Sequence, residues 1–116
     1  MVEEGLHDLD SKTIQVATMV IIHAGNSRSL VNDALIEAND FRIESAWEKL
    51  KQAREELRAA HRVQTDVIQA EARGEKMEIT MLLTHAQDTL IVASSEVQMA
   101  KHTIKVYEKL QECLSN

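Results

Sequence analysis

The sequence predicts an all-α protein, an antiparallel three-helix bundle formed by a single domain over residues 1–116. The chain contains no proline and only three glycines, so long stretches lack a helix breaker. Apolar residues make up 44% of the chain and aromatic residues only 3%, so the core must consist of aliphatic side chains and methionine. These apolar residues recur every three or four positions over three long segments, which is the spacing of one helix face.

The first predicted helix runs from about Ser11, a residue type that often caps helices, to about Ala38. Residues 1–10 precede it as an acidic leader that we expect to be frayed. Asn39 and Asp40 then break the apolar pattern and offer a cap for the next helix. The core-facing line of this first helix is irregular: Ile14, Ala17, Ile21, Ala24, Arg28, Val31 and Leu35.

The second predicted helix runs from Phe41 to about Ala72, and Gly74 is the natural left-handed stop after it. Its core-facing line is regular: Ile43, Ala46, Leu50, Ala53, Leu57, Ala60, Gln64, Val67 and Glu71. Because Gln64 interrupts the apolar line, we expect a polar layer in the bundle at its height.

The third predicted helix runs from roughly Ile79 to Leu114, with Thr80 as a candidate cap. Its main apolar line holds Leu83, Ala86, Leu90, Ala93, Val97, Ala100, Ile104, Tyr107 and, after polar Gln111, Leu114. A second line recurs every seven residues and widens the apolar face of this helix: His85, Val92, Met99, Val106 and Cys113. A wide apolar face indicates either a helix wedged between two neighbours of the same chain or a surface buried by another subunit. The low aromatic content and slender bundle favour the second alternative.

Charge and composition exclude several classes of function. The net charge of −6 argues against nucleic-acid binding, which needs a basic surface. Cys113, the only cysteine, cannot form a disulfide within the chain, which suits a reducing cytoplasm. The first ten residues lack the basic and apolar parts of a signal peptide, and the longest apolar runs hold three or four residues. We expect a cytoplasmic protein without direct membrane insertion.

One histidine and one carboxylate stand out as candidate site residues. His85 and Asp88 are three residues apart on the third helix and therefore share a face. An imidazole there could pack in the core, ligate a metal or act as a nucleophile, and the residues alone favour packing. Reflecting the chain about Gly74 puts Gln64 level with His85 and His61 level with Asp88.

No other motif points to a catalytic centre. No two histidines have the tight spacing of a zinc site, and the GNSRS segment at residues 25–29 does not match a nucleotide-binding loop. A nucleotide-dependent kinase is therefore disfavoured. His7 in the leader and His102 among lysines are expected to be solvated.

The segment LLTHAQDTL at residues 82–90 closely resembles the HAQD motif of one phosphotransferase family. This family is the lactose/cellobiose-type enzyme IIA of the bacterial phosphoenolpyruvate-dependent sugar phosphotransferase system. The similarity extends to IIHAGNSRS at residues 21–29, AHRVQT at 60–65 and AEARGE at 70–75. It therefore covers essentially the whole chain in order.

The resemblance implies a protein-to-protein phosphotransferase. His85 would accept a phosphoryl group from phospho-HPr at Nε2 and pass it to the cysteine of the cognate enzyme IIB. The transfer would serve uptake and phosphorylation of a disaccharide of the lactose, cellobiose or chitobiose class. The resemblance also implies a homotrimer in which Asp88 meets its two copies around a structural divalent metal ion, Mg²⁺. Three converging carboxylates repel one another unless a cation or protons intervene.

The chain departs from the family's common HAQDHLM pattern at Thr89, where many relatives have a second histidine. Gln87, Thr89, Gln64 and His61 are the candidate supporting residues. Two other classes of function compete with the phosphocarrier. One is a non-enzymatic helical assembly protein, in which His85 only fills a polar layer. The other, a two-component histidine phosphotransfer domain, is disfavoured because its lysine–glycine pattern does not follow the histidine.

Overall fold

The computed structural model describes residues 2–74 and 81–115, with side chains from residue 12 onward except that of Glu71. It contains three α-helices, namely α1 (Val2–Asn39), α2 (Ile43–Ala72) and α3 (Met81–Ser115), and no strand within those ranges. The molecule measures 73 × 22 × 18 Å, so it is a slender rod. The predicted all-α three-helix bundle is confirmed.

Interhelix side-chain contacts define the direction of each helix. Arg28 of α1 contacts Glu96 of α3, and Asn39 of α1 contacts Tyr107 of α3. Residue numbers therefore increase in the same direction along both helices, which are parallel. Helices α1 and α2 are antiparallel. His23 Nδ1 lies 2.6 Å from Glu56 Oε2, and the Ser27 hydroxyl, further along α1, donates to the carbonyl of Ala53, which lies earlier in α2.

The core lines predicted for α2 and α3 are confirmed except at the end of α3, where Leu114 is 68% exposed and not in the core. Every predicted α3 position from Leu83 to Ile104 is buried, and Tyr107 is half-buried. On α2, Leu57 and Gln64 are half-buried and the other predicted positions with described side chains are buried. One core cluster lies beneath the start of α3 and joins all three helices: Ala17, Val20, Ala60, Leu83, Ala86 and Leu90.

Several residues predicted to face the core on α1 are exposed, and some of their neighbours are buried instead. Ile14 is 51% exposed and Arg28 is also exposed, whereas Thr13 and Ser27 are buried. The buried line of α1 consists of small or polar residues: Thr13, Ala17, Val20, Ala24, Ser27, Val31, Ala34 and Ala38. The larger isoleucines beside this line dominate the sequence pattern. Ser27 is tolerated in the core because its hydroxyl donates to the Ala53 carbonyl at 2.9 Å.

The helix boundaries differ most at the N-terminus. α1 begins at Val2 and not near Ser11, so the helical backbone includes most of the predicted leader. Acidic residues favour a helix N-terminus, and the first turn of this segment contains Glu3 and Glu4. Gly74 adopts the predicted left-handed conformation with φ of 86°. Thr80, the predicted cap of α3, lies outside the described residues.

The turn between α1 and α2 closes by backbone hydrogen bonds. The N–H of Arg42 donates to the carbonyl of Glu37, and the N–H of Phe41 donates to that of Ala38. With Phe41 at φ of 60°, this is a Schellman ending without glycine. The carbonyl of Arg42 accepts the N–H of Ala46, so Arg42 precedes α2 in the place predicted for Asn39 or Asp40. The Arg42 guanidinium donates a hydrogen bond to the Glu37 carboxylate, and this bond raises the pKa of Arg42.

The end of α3 holds this turn in place. The rings of Phe41 and Tyr107 meet edge to face with centroids 6.1 Å apart. The amide of Gln111 donates to the carbonyl of Phe41 at 3.0 Å, and the indole of Trp47 donates to Glu108 at 3.2 Å. These contacts compensate for the left-handed backbone of Phe41. Among the described residues, no helix has the length and apolar character needed to cross a membrane.

Candidate functional site

His85 lies in the second turn of α3, and its side chain is exposed. The adjacent core residues Leu83 and Ala86 are 6% and 0% exposed and fix this turn to the bundle. Within the described part of the chain, no hydrogen bond or ion pair engages the imidazole. The buried packing role that the residues alone favoured is therefore wrong, and the ring faces solvent with its nitrogens open.

Thr89 lies one turn after His85 and is linked to it through the backbone. Its hydroxyl donates to the main-chain carbonyl of His85 at 2.9 Å. This local bond occupies the hydroxyl proton. Thr89 is therefore adjacent to the site, as predicted, but its donor is directed at the helix backbone and not outward.

Asp88 and Gln87 are both exposed on the same stretch of α3. In the described chain, Asp88 forms no ion pair, and no group of three or more His, Cys, Asp or Glu residues could hold a metal ion. One subunit thus offers a single free carboxylate at this position. A carboxylate is a suitable ligand for a hard divalent cation, but further ligands would have to come from other molecules.

Gln64 contributes the polar group predicted at the height of the site. Its side chain is half-buried, and its Oε1 is buried without a hydrogen-bond partner among the described residues. It shares a small cavity with Ala86 and Gln87, the two residues that follow His85. The predicted level of Gln64 therefore agrees with the structure to within one helical turn.

His61 is not where the reflection about Gly74 places it. Its Nε2 lies 3.3 Å from the hydroxyl of Ser94, and its side chain is exposed. Ser94 is six residues beyond Asp88, or about 9 Å along the helix axis. The reflection about Gly74 therefore fails at His61, although it holds to within one helical turn at Gln64.

Three apolar residues share the helix face of His85 with Asp88 and Thr89. Met81 is 90% exposed, Leu82 37% and Val92 43%. No lysine or arginine occurs in α3 before Lys101. The face around His85 therefore combines apolar side chains with the Asp88 carboxylate, and residues 81–100 of α3 add no basic side chain to it.

The second apolar line of α3 continues from this site along an open surface. Val92, Met99 and Val106 are 43%, 63% and 64% exposed, and Cys113 is also exposed. The alternative that neighbours within the chain enclose this line is wrong. Sequence reasoning missed the ion pair between Arg28 and Glu96, which ties α1 to α3 beside this line at 2.9 Å. Arg28 could have indicated this ion pair, because a charged residue interrupts the apolar line predicted for α1.

Comparison with known proteins agrees with this geometry. The family model "PTS system, Lactose/Cellobiose specific IIA subunit" matches residues 15–108. The chain is 45% identical over 98 residues to the lichenan-specific phosphotransferase enzyme IIA component of Bacillus subtilis, covering 84% of this chain and 89% of that protein. It is 34% identical over 97 residues to the N,N'-diacetylchitobiose-specific EIIA component of Escherichia coli K12, covering 84% of each chain.

Solved structures share the same three-helix arrangement. The cellobiose-specific enzyme IIA from Bacillus anthracis superposes with a TM-score of 0.83 at 40% identity, over 86% of this chain and 92% of that one. A solution structure of the chitobiose IIA–HPr complex of Escherichia coli gives a TM-score of 0.75 at 32% identity, over 85% and 96%. The chain therefore belongs to the lactose/cellobiose-specific IIA family of the sugar phosphotransferase system and is a protein-to-protein phosphotransferase component.

Proposed function

We propose that His85 is the phosphoryl carrier of this protein, loaded by phospho-HPr and unloaded by the cysteine of an enzyme IIB. The observation that carries the proposal is the exposed, unbonded imidazole on the HAQD turn of α3. The chitobiose IIA relative has been solved in complex with HPr, which supports HPr as the donor. Membership in the family supports enzyme IIB as the acceptor.

The chemistry consists of two displacements at phosphorus. In the first, the lone pair of His85 Nε2 attacks the phosphoryl group, and the bond that holds this group on HPr breaks. In the second, the thiolate of the IIB cysteine attacks, the P–N bond to His85 breaks, and the neutral imidazole is regenerated. No nucleotide is consumed, because the phosphoryl group passes directly between side chains. The apolar residues around His85 exclude water when a partner docks and slow hydrolysis of the intermediate.

Three copies of Asp88 would hold a divalent cation, Mg²⁺, on the threefold axis of a homotrimer. The exposed carboxylate on one edge of the open α3 line supports this arrangement. Carboxylate oxygens suit Mg²⁺, and the cation would offset repulsion between the converging charges. Its role would be structural. Sedimentation with and without a chelator tests this proposal, as developed in the Discussion.

The system served by this protein would import a disaccharide of the lactose, cellobiose or chitobiose class. The lichenan- and diacetylchitobiose-specific relatives support this substrate class. The transfer from HPr to IIB would take place in the cytoplasm. The sugar itself would be bound by the membrane component and not by this chain.

A mass measurement tests the proposed acceptor. Wild-type protein is incubated with phosphoenolpyruvate, enzyme I and HPr, and we expect the mass of one phosphoryl group to be added to each chain. His85→Ala should remain unmodified, because it lacks the nucleophile. His102→Ala is the matched control, since it removes another exposed histidine of α3, and it should be modified like wild type. Equal labelling of His85→Ala and wild type would refute the role of His85. No added phosphate in wild type would favour the helical assembly protein.

A further inference from the structure

A buried amide oxygen beneath the HAQD turn lacks a partner. Gln64 Oε1 is fully enclosed, yet it accepts no hydrogen bond among the described residues. Exchanging the amide oxygen and nitrogen of Gln64 would replace an unpaired acceptor by an unpaired donor. A hydrogen bond is therefore missing whichever way the amide is assigned. An unpaired buried polar atom costs stability, whereas leucine at this position would extend the apolar line of α2. A glutamine at this position therefore points to a role other than stability.

The surroundings of this oxygen restrict its partner. Gln64 lines a small cavity together with five apolar residues and one other glutamine, Gln87 from α3. The apolar residues are Val16, Val20, Val67, Leu83 and Ala86. Gln87 is therefore the one lining residue besides Gln64 itself with a side-chain N–H. Its side chain is exposed, so it lies at the solvent end of the cavity.

We propose that Gln64 is a positioning residue, whose buried amide oxygen accepts a hydrogen bond from the Gln87 side chain, directly or through one water molecule. His85 lies in the second turn of α3, where helices open most readily. Leu83 and Ala86 pack this turn against the apolar core. The Gln64–Gln87 bond ties the same turn to α2 by a directional contact. It holds the backbone while the imidazole faces outward.

The bond would act on His85 only through the helix. Residues two positions apart point about 200° apart around a helix, so Gln87 and His85 lie on opposite sides of α3. Gln64 would therefore affect how precisely the imidazole is presented without touching the phosphoryl group. The kinetic consequence rests on the proposed carrier role of His85, but the hydrogen bond itself does not.

Nuclear magnetic resonance tests the hydrogen bond directly. Gln64→Met keeps the length of the side chain and removes the amide. We expect this variant to change the chemical shifts of the Gln87 side-chain N–H₂ group and to speed its exchange with solvent. Gln52→Leu is the matched control. It changes another half-buried glutamine of α2, about three turns earlier, and should leave the Gln87 signals unchanged.

Phosphorylation kinetics test the consequence. With phospho-HPr as donor, Gln64→Met should lower the maximal rate about three- to tenfold and change the KM for phospho-HPr less. The double variant Gln64→Met/Gln87→Met should be no slower than Gln87→Met alone, because both substitutions remove the same bond. Loss of the Gln87 amide signature together with the slower rate would support the proposal.

A thermal melting measurement distinguishes a positioning role of Gln64 from an unpaired buried amide that only lowers stability. If Gln64→Met raises Tm while the Gln87 amide signals and the rate stay at wild-type values, Gln64 has no positioning role. If Gln64→Met fails to fold, Gln87→Met tests the same pair from the exposed side, and unchanged Gln64 amide signals would overturn the proposal. A wild type that accepts no phosphoryl group would refute the carrier function, while the amide signals would still decide whether the bond exists.

Discussion

Thr89 and His85 are linked on one turn of α3 through the backbone carbonyl of the histidine. The threonine hydroxyl donates its proton to that carbonyl at 2.9 Å, so it cannot also donate to a phosphoryl group on the ring. Many relatives have a histidine in this position, which could add a charged donor beside the phosphate. The residue at position 89 is therefore expected to control how long the phosphoryl group stays on the carrier.

Replacing Thr89 by histidine should lengthen the lifetime of the phosphorylated protein. An added imidazolium close to the phosphoryl oxygens forms a charge-assisted hydrogen bond, which we expect to slow hydrolysis about three- to tenfold. The rate at which phosphate is lost from isolated phosphoprotein measures the effect. Thr103→His is the matched control, because Thr103 makes the same hydroxyl bond, to the carbonyl of Met99 at 3.0 Å, far from His85. Equal lifetimes in Thr89→His and wild type would contradict this role.

The motif could be located from the sequence, but the environment of each site residue could not. An i, i+3 spacing fixes His85 and Asp88 on one face, whereas exposure depends on how the helix rotates against its neighbours. His61 was misplaced by about 9 Å along the helix axis, so reflecting the sequence about Gly74 does not fix the level of every side chain. The unpaired state of Gln64 Oε1 emerges only from three-dimensional packing.

At the scale of helices, the regular lines of α2 and α3 could be predicted because large aliphatic and small residues alternate at helical spacing along them. The line of α1 could not, because its core positions hold alanine, serine and threonine while isoleucines lie outside. Hydrophobicity alone therefore placed Ile14 in the core and overlooked Thr13 and Ser27, although Ala17, Ala24 and Val31 are buried as predicted. The Phe41 turn was also missed, since its left-handed conformation depends on tertiary contacts with Tyr107 and Gln111.

Two glycines should respond in opposite ways to substitution by alanine. Gly74 has φ of 86°, so Gly74→Ala should lower the free energy of unfolding by about 1–2 kcal/mol. Gly25 lies inside α1, and a methyl group added there would meet no side chain or neighbouring helix within 4 Å. Gly25→Ala should therefore raise the free energy of unfolding by about 0.5–1 kcal/mol. Urea unfolding of wild type and of both variants measures these changes in the free energy of unfolding. A destabilising Gly25→Ala would contradict free space there and indicate another subunit against α1.

For the whole molecule, the open line of α3 is the feature that the isolated bundle leaves unexplained. Val92, Met99 and Val106 are spaced by sevens and exposed, as in helices that pack against copies of themselves. The sequence indicated this second line, and the structure shows that the chain itself does not cover it. The proposal of three subunits rests on the family resemblance and not on the packing within one chain.

The proposed trimer should dissociate when its apolar line or its cation is lost. Wild type is expected to sediment as a trimer and to shift towards monomer with a chelator, because the Asp88 carboxylates then repel one another. Met99→Glu should be monomeric at micromolar concentration, since burying unpaired carboxylates costs several kcal/mol. Ile68→Glu, at a 58% exposed position of α2, is the control and should remain assembled. A monomeric wild type with and without chelator would refute the axial role of Asp88.

One nitrogen of one residue, Nε2 of His85, is proposed to carry the phosphoryl group. Phosphorus-31 and nitrogen-15 magnetic resonance of the labelled, phosphorylated protein identifies the bonded nitrogen through scalar coupling. We expect one phosphorus signal coupled to Nε2 of His85. A signal coupled to Nδ1 of His85, to a ring nitrogen of His7, His23, His61 or His102, or to no nitrogen would refute this assignment.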